Sequence, residues 1–274
     1  MLRITELKLP LDHTEASIKA AIIKRLGISA GELINYVIFR QGHDARKRDS
    51  INLVYTLDVE TKNQKDLLLR MEDDTQIFLT PDASYQFVAQ ATKELTERPV
   101  VIGTGPCGLF AGLILAQMGF KPIILERGKE VRERTKDTFG LWRKGIFNPE
   151  SNVQFGEGGA GTFSDGKLYT QIKDPKHYGR KVLTEFVKAG APPEILRVSK
   201  PHIGTFKLVT MVEQMRATLE SLGGEIHFQN RVDKLEIEKG RVCGVTLISG
   251  ETILTHHVVL AVGHSARDTF KMLH

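Results

Sequence analysis

The sequence predicts an α/β protein in two parts: a small α+β sandwich over residues 1–80 and, from residue 99, a larger parallel-sheet domain with a β-meander inserted in it. Three observations predict this. The first eighty residues carry strand and helix signals in the order β-α-β-β-α-β. The short apolar run Val100-Val-Ile102 leads straight into Gly-Thr-Gly-Pro-Cys-Gly108 and then into an apolar helix. Three short strands separated by glycine turns lie between Val232 and Leu254, followed by a buried run that ends at Gly263.

In the small part, Leu2 to Leu9 reads as a strand stopped by Pro10. Asp12 is placed to cap the next helix, with Glu15 three residues on in a capping-box position. Ile18, Ala21, Ile22 and Leu26 recur at helical spacing, and Gly27 ends that helix. Leu33 to Phe39 is a second strand. Ile51, Leu53, Tyr55, Leu57 and Val59 alternate, which puts five apolar side chains on one face of a third strand. A helix over Gln64 to Met71 and a strand over Gln76 to Thr80 complete a ferredoxin-like order. Residues 81–98 read as a connecting helix, with Phe87, Val88, Ala91 and Leu95 on one stripe. Pro99 resets the chain into a strand, so the domain boundary falls between Thr80 and Arg98.

The glycine turn that follows has the chemistry of a Rossmann-type dinucleotide site. Gly103 permits the tight turn, Gly105 lets backbone approach a pyrophosphate, and Gly108 lets helix pack closely on strand. The helix beginning near Pro106 aims its unpaired N–H groups and positive dipole end at the phosphates. Proline suits that first turn because the N–H it gives up has no helical partner there. Cys107 lies inside the turn. A glycine pattern alone is weak, but here a second apolar strand, Pro122-Ile-Ile-Leu125, ends in Glu126 about twenty residues on, where an acceptor for ribose hydroxyls belongs. The bland alternative for Glu126 is a solvated strand-end charge.

No further short βα unit follows, as it would in a nicotinamide-dependent dehydrogenase. Arg127-Gly128 instead opens a long charged and glycine-rich stretch, with the next strand only at Glu225-Ile-His-Phe228. Val232–Glu238, Val242–Ile248 and Glu251–Leu254 then form the meander, turning at Lys239-Gly240 and Ser249-Gly250, before Val258-Val-Leu-Ala261-Val-Gly263 returns as a parallel strand. This series resembles the glutathione-reductase-type FAD-binding fold over residues 99–274. Within that superfamily the chain is similar to bacterial uncharacterised FAD-dependent dehydrogenases. The likeness is carried by Phe155-Gly-Glu-Gly-Gly159-Ala-Gly161-Thr162-Phe-Ser164-Asp-Gly166-Lys167-Leu168, by His202-Ile-Gly-Thr205, and by Ala261-Val-Gly263-His264-Ser-Ala-Arg267.

The resemblance implies FAD as cofactor, bound by Gly103, Gly105, Pro106, Cys107, Gly108, Glu126, Arg127, Val232, Ala261, Gly263 and His264. The second glycine loop, with Gly159, Gly161, Thr162, Ser164, Gly166 and Lys167, is expected beside the isoalloxazine ring, because bare backbone lies flat on an aromatic face. Lys167 would stabilise the reduced flavin there, although it can equally pair with Asp165. Lys167 and His264 are the two candidates for a catalytic role. The resemblance also implies that 99–274 is incomplete, with part of a substrate domain inserted around 129–205. No second glycine fingerprint for NAD(P)H is seen, so NAD(P)H is left open as electron donor and the small-molecule substrate is unassigned.

Bulk properties narrow the rest. Two cysteines, with no CxxC spacing, argue against a disulfide framework, a redox pair or a cysteine metal site. His256-His257 lacks ligand partners at metal spacing, so no metal is expected. No leader pattern or membrane-length apolar run stands out, which makes cytoplasm the expected location. The net charge of +5 is dispersed except at Arg46-Lys47-Arg48, and no RNP-like aromatic series accompanies that knot, so nucleic acid is not the expected partner. Two functions stay in contention: an oxidoreductase passing hydride or electrons through flavin N5, and a flavin-carrying regulatory protein whose first domain recognises RNA or protein.

Overall fold

The protein is described here by a computed structural model covering residues 1–47, 50–92, 95 and 97–274. It divides into two compact units. The first comprises Met1–Tyr85, Tyr169–Thr184 and Pro192–Pro201; the second comprises Gln86–Leu168, Glu185–Ala191 and His202–His274. The chain thus passes between the units several times, where sequence reasoning expects one boundary.

In the first unit, β1 (Leu2–Pro10), α1 (Glu15–Leu26), β2 (Leu33–Asp44), β3 (Asn52–Thr61), α2 (Gln64–Arg70) and β4 (Ile77–Leu79) follow one another. The sheet runs in the order β2-β3-β1-β4, and every neighbouring pair is antiparallel. Alternation puts Leu53, Tyr55, Leu57 and Val59 of β3 into a core with Leu2 and Ile4 of β1 and Ile18, Ile22 and Leu26 of α1. Ile51 lies outside the strand and is exposed, so it does not share this face. The helix is capped by Thr14 rather than Asp12. The Thr14 N–H donates to Ser17 Oγ at 3.3 Å, and Glu15 is already the first helical residue. Gly27 closes the helix in the left-handed conformation, φ 60°.

The opposite sheet face holds a buried ion pair. Arg3 donates from Nε and Nη2 to the two carboxylate oxygens of Asp58, its register partner, at 2.7 and 2.8 Å. Its guanidinium also lies 3.6 Å from the Phe39 ring centroid. Residues 197–199 pair with the edge of β2: Gln41 N–H donates to Arg197 O at 2.7 Å, and Ser199 N–H to Gln41 O at 2.9 Å.

Residues 81–98 do not form the expected connecting helix within the described residues. Ser84 N–H bonds the side chain of Asp82 at 2.8 Å, a local turn that competes with helix. Val88, on the supposed apolar stripe, is 86% exposed and Phe87 is exposed as well, so half of the stripe gains no burial that would hold a helix together.

The second unit is built on a four-stranded parallel sheet of β5 (Val100–Ile102), β6 (Ile123–Leu125), β7 (Glu225–His227) and β11 (Val258–Leu260), in the order β11-β5-β6-β7. Between β5 and β6 runs α3 (Pro106–Gln117); between β6 and β7 come α4 (Val131–Lys144), α5 (Tyr178–Lys188) and α6 (Thr205–Ser221). Val101, Ala116, Ile124, Leu219 and Ala261 pack on one sheet face, with α3 and α6 supplying the cover. The antiparallel meander of β8 (Val232–Glu238), β9 (Arg241–Leu247) and β10 (Thr252–Leu254) covers the other, burying Val232, Val245 and Leu247 against Val100, Ile102 and Leu125. A last helix, α7 (Arg267–Leu273), follows β11. The stretch after Arg127 is therefore largely helical. Its first helix escapes sequence reading because the buried positions of α4 are Val131, Arg134 and Thr138, so a charge sits where the apolar period needs a hydrophobe.

Removing Arg3 while leaving Asp58 in place is expected to be expensive. Arg3→Met should lower the stability of the first unit by roughly 3–5 kcal/mol in chemical denaturation, because it strands a desolvated carboxylate. Arg3→Met combined with Asp58→Leu should recover most of that loss; a double variant no better than the single one would mean that packing on Phe39, not the charge pair, sets the cost.

Candidate functional site

In the parallel sheet the connection order reverses at β5: α3 leads to β6 on one side, while β11 lies on the other. Ligand crevices form at such a switch point, outside the carboxyl ends of the strands. A cleft of about 410 Å³ opens there, lined by the last residues of β5, β6 and β11, namely Ile102, Leu125 and Leu260.

The glycine turn forms its floor. A Cβ on Gly108 would stand 1.8 Å from Gly103 O, so helix α3 can leave β5 at this angle only with glycine there. A Cβ on Gly105 would meet only Gly159 Cα, at 3.9 Å; a longer side chain would therefore project into open space. Gly105 is the N-cap of α3 and Pro106 its first residue, so the first-turn amides have no carbonyl within the helix. A one-turn 3-10 helix, Ala160–Phe163, begins beside it after Gly159. The two glycine loops touch: a Cβ on Gly159 would lie 3.0 Å from Gly105 Cα. The start of α3 thus presents positive partial charge to this wall, and the short 3-10 turn begins beside it.

Glu126 closes β6 and is buried. Its Oε2 accepts from Thr104 N–H at 2.8 Å and from the Thr104 hydroxyl at 2.6 Å, and its Oε1 accepts from Gly128 N–H at 2.8 Å. The carboxylate therefore braces the glycine turn from within. With three acceptor sites taken of about four on a carboxylate, one on Oε1 is left to meet a hydroxyl in the cleft.

The far wall is the segment Asn152–Gly159, shaped around Arg134. This arginine has no solvent exposure, and it donates to the carbonyls of Asn152 (2.8 Å), Val153 (2.7 Å), Glu157 (2.6 Å) and Gly159 (2.8 Å). Burial pulls its pKa down to about 10, opposed by the field of Glu126 and Glu157, so it remains a cation at neutral pH. Glu157, also without exposure, accepts Val131 N–H at 2.8 Å and lies 3.2 Å from Arg216 Nε; burial pushes its carboxyl up. At one end of the cleft Arg127 lies 4.3 Å over the Phe155 ring and is held by Glu150 and Asp268 at 2.6–3.1 Å. Arg231 joins Glu150 at 2.8 Å.

Of the residues singled out from sequence, Gly103, Gly105, Pro106, Cys107, Glu126, Arg127, Gly159, Val232, Ala261, Gly263 and His264 line this cleft. Gly108 lies beneath it as packing. Gly161, Thr162, Ser164, Gly166 and Lys167 do not line it. Thr162 is buried, its hydroxyl 3.4 Å from Glu157 O, and Gly166 packs on Ile203 and Leu208. Lys167 is largely exposed and pairs with Asp165 at 3.0 Å, the bland alternative foreseen for it. Of the six residues singled out in the second glycine loop, only Gly159 lines the cleft; the other five lie outside its lining.

Sequence reasoning missed Thr104, Gln154, Asn230 and Ser265, all of which line the cleft. Ser265 Oγ donates to Gln154 Oε1 at 3.1 Å, tying the turn after β11 to the loop shaped by Arg134. Thr104 carried a signal as a hydroxyl between two motif glycines, and Ser265 stood inside the quoted likeness from Ala261 to Arg267 without being singled out. His202 pairs in register with Lys167 away from the cleft. His256 bonds Glu97 at 2.6 Å. Among the described residues no group of three or more His, Cys, Asp or Glu is placed to hold a metal ion, and no helix is long and apolar enough to cross a membrane. Arg46 is bound by Asp44 at 2.6 and 2.8 Å, while Arg48 of the basic knot lies outside the described residues.

A family model described as a domain of unknown function (DUF8436) matches residues 1–60. The chain is 41% identical over 273 residues to an uncharacterized protein of Clostridium beijerinckii; the match takes in all of this chain and 50% of that protein. The chain thus spans about half the length of the curated relative it matches. Among solved structures it is similar to THI4 of Thermovibrio ammonificans, at TM-score 0.42 and 19% identity over 65% of this chain and 61% of that one. A 3-ketosteroid-delta4-(5alpha)-dehydrogenase of Rhodococcus jostii RHA1 follows at 0.37 and 16%, over 63% and 48%. The thioredoxin reductase of Lactococcus lactis stands at 0.32 and 16%, over 60% and 35%. Likenesses this shallow carry no argument about the chemistry of the cleft.

Arg134→Met should open the far wall. Four backbone carbonyls lose a charged donor, each such bond contributing roughly 1.5–3 kcal/mol. Faster amide exchange is expected across residues 152–163, with the first unit unaltered. Unchanged protection in that segment would show that the loop holds its shape without the guanidinium.

Proposed function

We propose that the cleft binds FAD and that the chain is the cofactor-binding part of a flavoprotein oxidoreductase acting on a small molecule, with NAD(P)H open as the electron donor. One observation carries this reading. A glycine-turned helix start, with a second glycine loop against it, stands at the switch point of a parallel sheet, and the adjoining strand ends in a buried carboxylate with one acceptor site free. A diphosphate suits the first feature and a ribose hydroxyl the second.

The residues present fit the group. Gly105 leaves open the space a phosphate would take, since a side chain there would enter the cleft. The first-turn amides of α3 would bind the diphosphate, and Glu126 Oε1 would take a single ribose hydroxyl rather than the pair expected from sequence, because Thr104 and Gly128 engage the rest of its carboxylate. Bound FAD would supply hydride and electron transfer at its flavin N5. His264 lines the cleft and stands as a contact to the cofactor; Lys167, paired with Asp165 and outside the lining, is left without a role in it. The first unit reads as a ferredoxin-like accessory domain, consistent with its strand order.

The test is the absorbance spectrum and extracted cofactor of the purified protein. A flavin spectrum with FAD released on denaturation is expected. Gly105→Val should abolish it while circular dichroism stays native, and Glu126→Ala should weaken binding by roughly 1–3 kcal/mol, through both the lost hydroxyl contact and the loosened turn. Full FAD occupancy in Gly105→Val would remove the turn from the binding site, and release of a different nucleotide would replace FAD as the cofactor.

A further inference from the structure

The first unit has a concavity of its own, about 430 Å³, that the flavin reading does not use. Val54 and Thr56 of β3 form its floor, on the sheet face opposite the buried Tyr55 and Leu57. Glu6 of β1 stands on one side; Arg40, Gly42, His43 and Asp44 of β2 stand on the other, with Ser199 beside Gly42.

Both flanking strands break register at this groove. The β1–β3 ladder slips between Ile4 and Leu7, and the β2–β3 ladder between Ile38 and Arg40. Within the first break Glu6 holds φ at 57°, a left-handed conformation uncommon for a glutamate. Bulges re-aim side chains, and paired bulges facing one cavity mark a place where the sheet is shaped for something other than its own pairing.

The charges are arranged unevenly. Asp44 is the hub of one group: its carboxylate binds Lys8 Nζ at 2.9 Å and the Arg46 guanidinium at 2.6 and 2.8 Å, so a single carboxylate serves two cations. Arg40 is exposed, and among the described residues its guanidinium has no hydrogen-bond or ion-pair partner. Among the described residues the lining itself holds two cations, Arg40 and Arg46, against two carboxylates, Glu6 and Asp44; Lys8 adds a third positive charge by binding Asp44 from outside the lining, and the unengaged Arg40 is a planar fork suited to an oxyanion. A phosphate gains more than a monocarboxylate from this excess, because it carries the larger charge.

We propose that this groove binds a small phosphate-bearing ligand, with the phosphate on the Arg40 fork, the Thr56 and Ser199 hydroxyls beside it, and Glu6 facing hydroxyl or amino donors on the remainder of the ligand. The site is independent of the flavin cleft and assigns a binding role to the first unit.

Inorganic phosphate is the probe, titrated into the full chain at constant ionic strength by calorimetry, with acetate as the monocarboxylate. Saturable phosphate binding with weaker acetate binding is expected. Arg40→Met should reduce phosphate affinity at least tenfold; Lys19→Met, which removes one exposed charge on α1, should not. Thermal melting is the check that both variants fold. Gly105→Val should leave this binding intact, since it alters only the glycine cleft. Phosphate binding that survives Arg40→Met, that falls equally in Lys19→Met, or that disappears in Gly105→Val would overturn the proposal.

Discussion

A guanidinium with no access to water, enclosed by peptide carbonyls, governs the form of the candidate site. Moving such a cation out of water costs several kcal/mol even after relaxation. Arg134 offsets that cost with four short bonds to the carbonyls of residues 152, 153, 157 and 159, and with the nearby charges of Glu126 and Glu157. The dependence is mutual. A glycine-rich loop has little side-chain surface to bury and high backbone entropy to lose, so a central donor does much to fix it. Gly156 shows how closely the loop is fitted, since a Cβ there would stand 2.4 Å from Arg134 Cδ.

Glu126 plays the corresponding part on the other side. By accepting from Thr104 and Gly128 it fixes the turn after β5 and the turn after β6 to one another. The loop shaped by Arg134 is then seated against both, through Gly158 N–H on Thr104 O at 2.9 Å and Glu157 N–H on Lys129 O at 3.1 Å. The walls of the cleft are thus joined by backbone hydrogen bonds and two buried charges. Bracing of this kind lowers the ordering cost of binding.

Much of this was legible in the residues, and the parts that were not share a physical reason. The strands of the first unit were readable because period-two alternation at Leu53, Tyr55, Leu57 and Val59 is undiluted, and the meander because its turns carry glycine at 240 and 250. The glycine turn and Glu126 were readable because a close backbone approach tolerates no other residue at Gly108. What stayed hidden depended on polar groups that bury by pairing. Arg134 is indistinguishable in sequence from the exposed Arg132 two positions earlier, and its burial follows from carbonyls some twenty residues further along the chain. The same holds for Gln154 and Ser265, which meet across 111 positions. Among the described residues of 81–98 the expected helix is absent for the converse reason: a periodic stripe predicts a helix only where it is covered, and Phe87 and Val88 are exposed.

The distribution of charge around the cleft bears on what it can recognise. Arg127 and Arg231 would be the obvious partners for a phosphate, yet Glu150 and Asp268 hold both. Their charges are compensated within the protein, and Arg127 is further committed to the Phe155 ring. On the proposed reading, attraction for a diphosphate would then come from the start of α3 after Gly105, where the donors are backbone amides fixed in direction. That arrangement favours a ligand whose phosphates approach closely along the α3 axis and whose sugar carries a hydroxyl toward Glu126. It disfavours one with an additional phosphate on that sugar, which would face a buried carboxylate with no free guanidinium among the described residues that line the cleft. On the proposed reading, selectivity for an unphosphorylated ribose follows from the same three acceptor bonds that brace the turn.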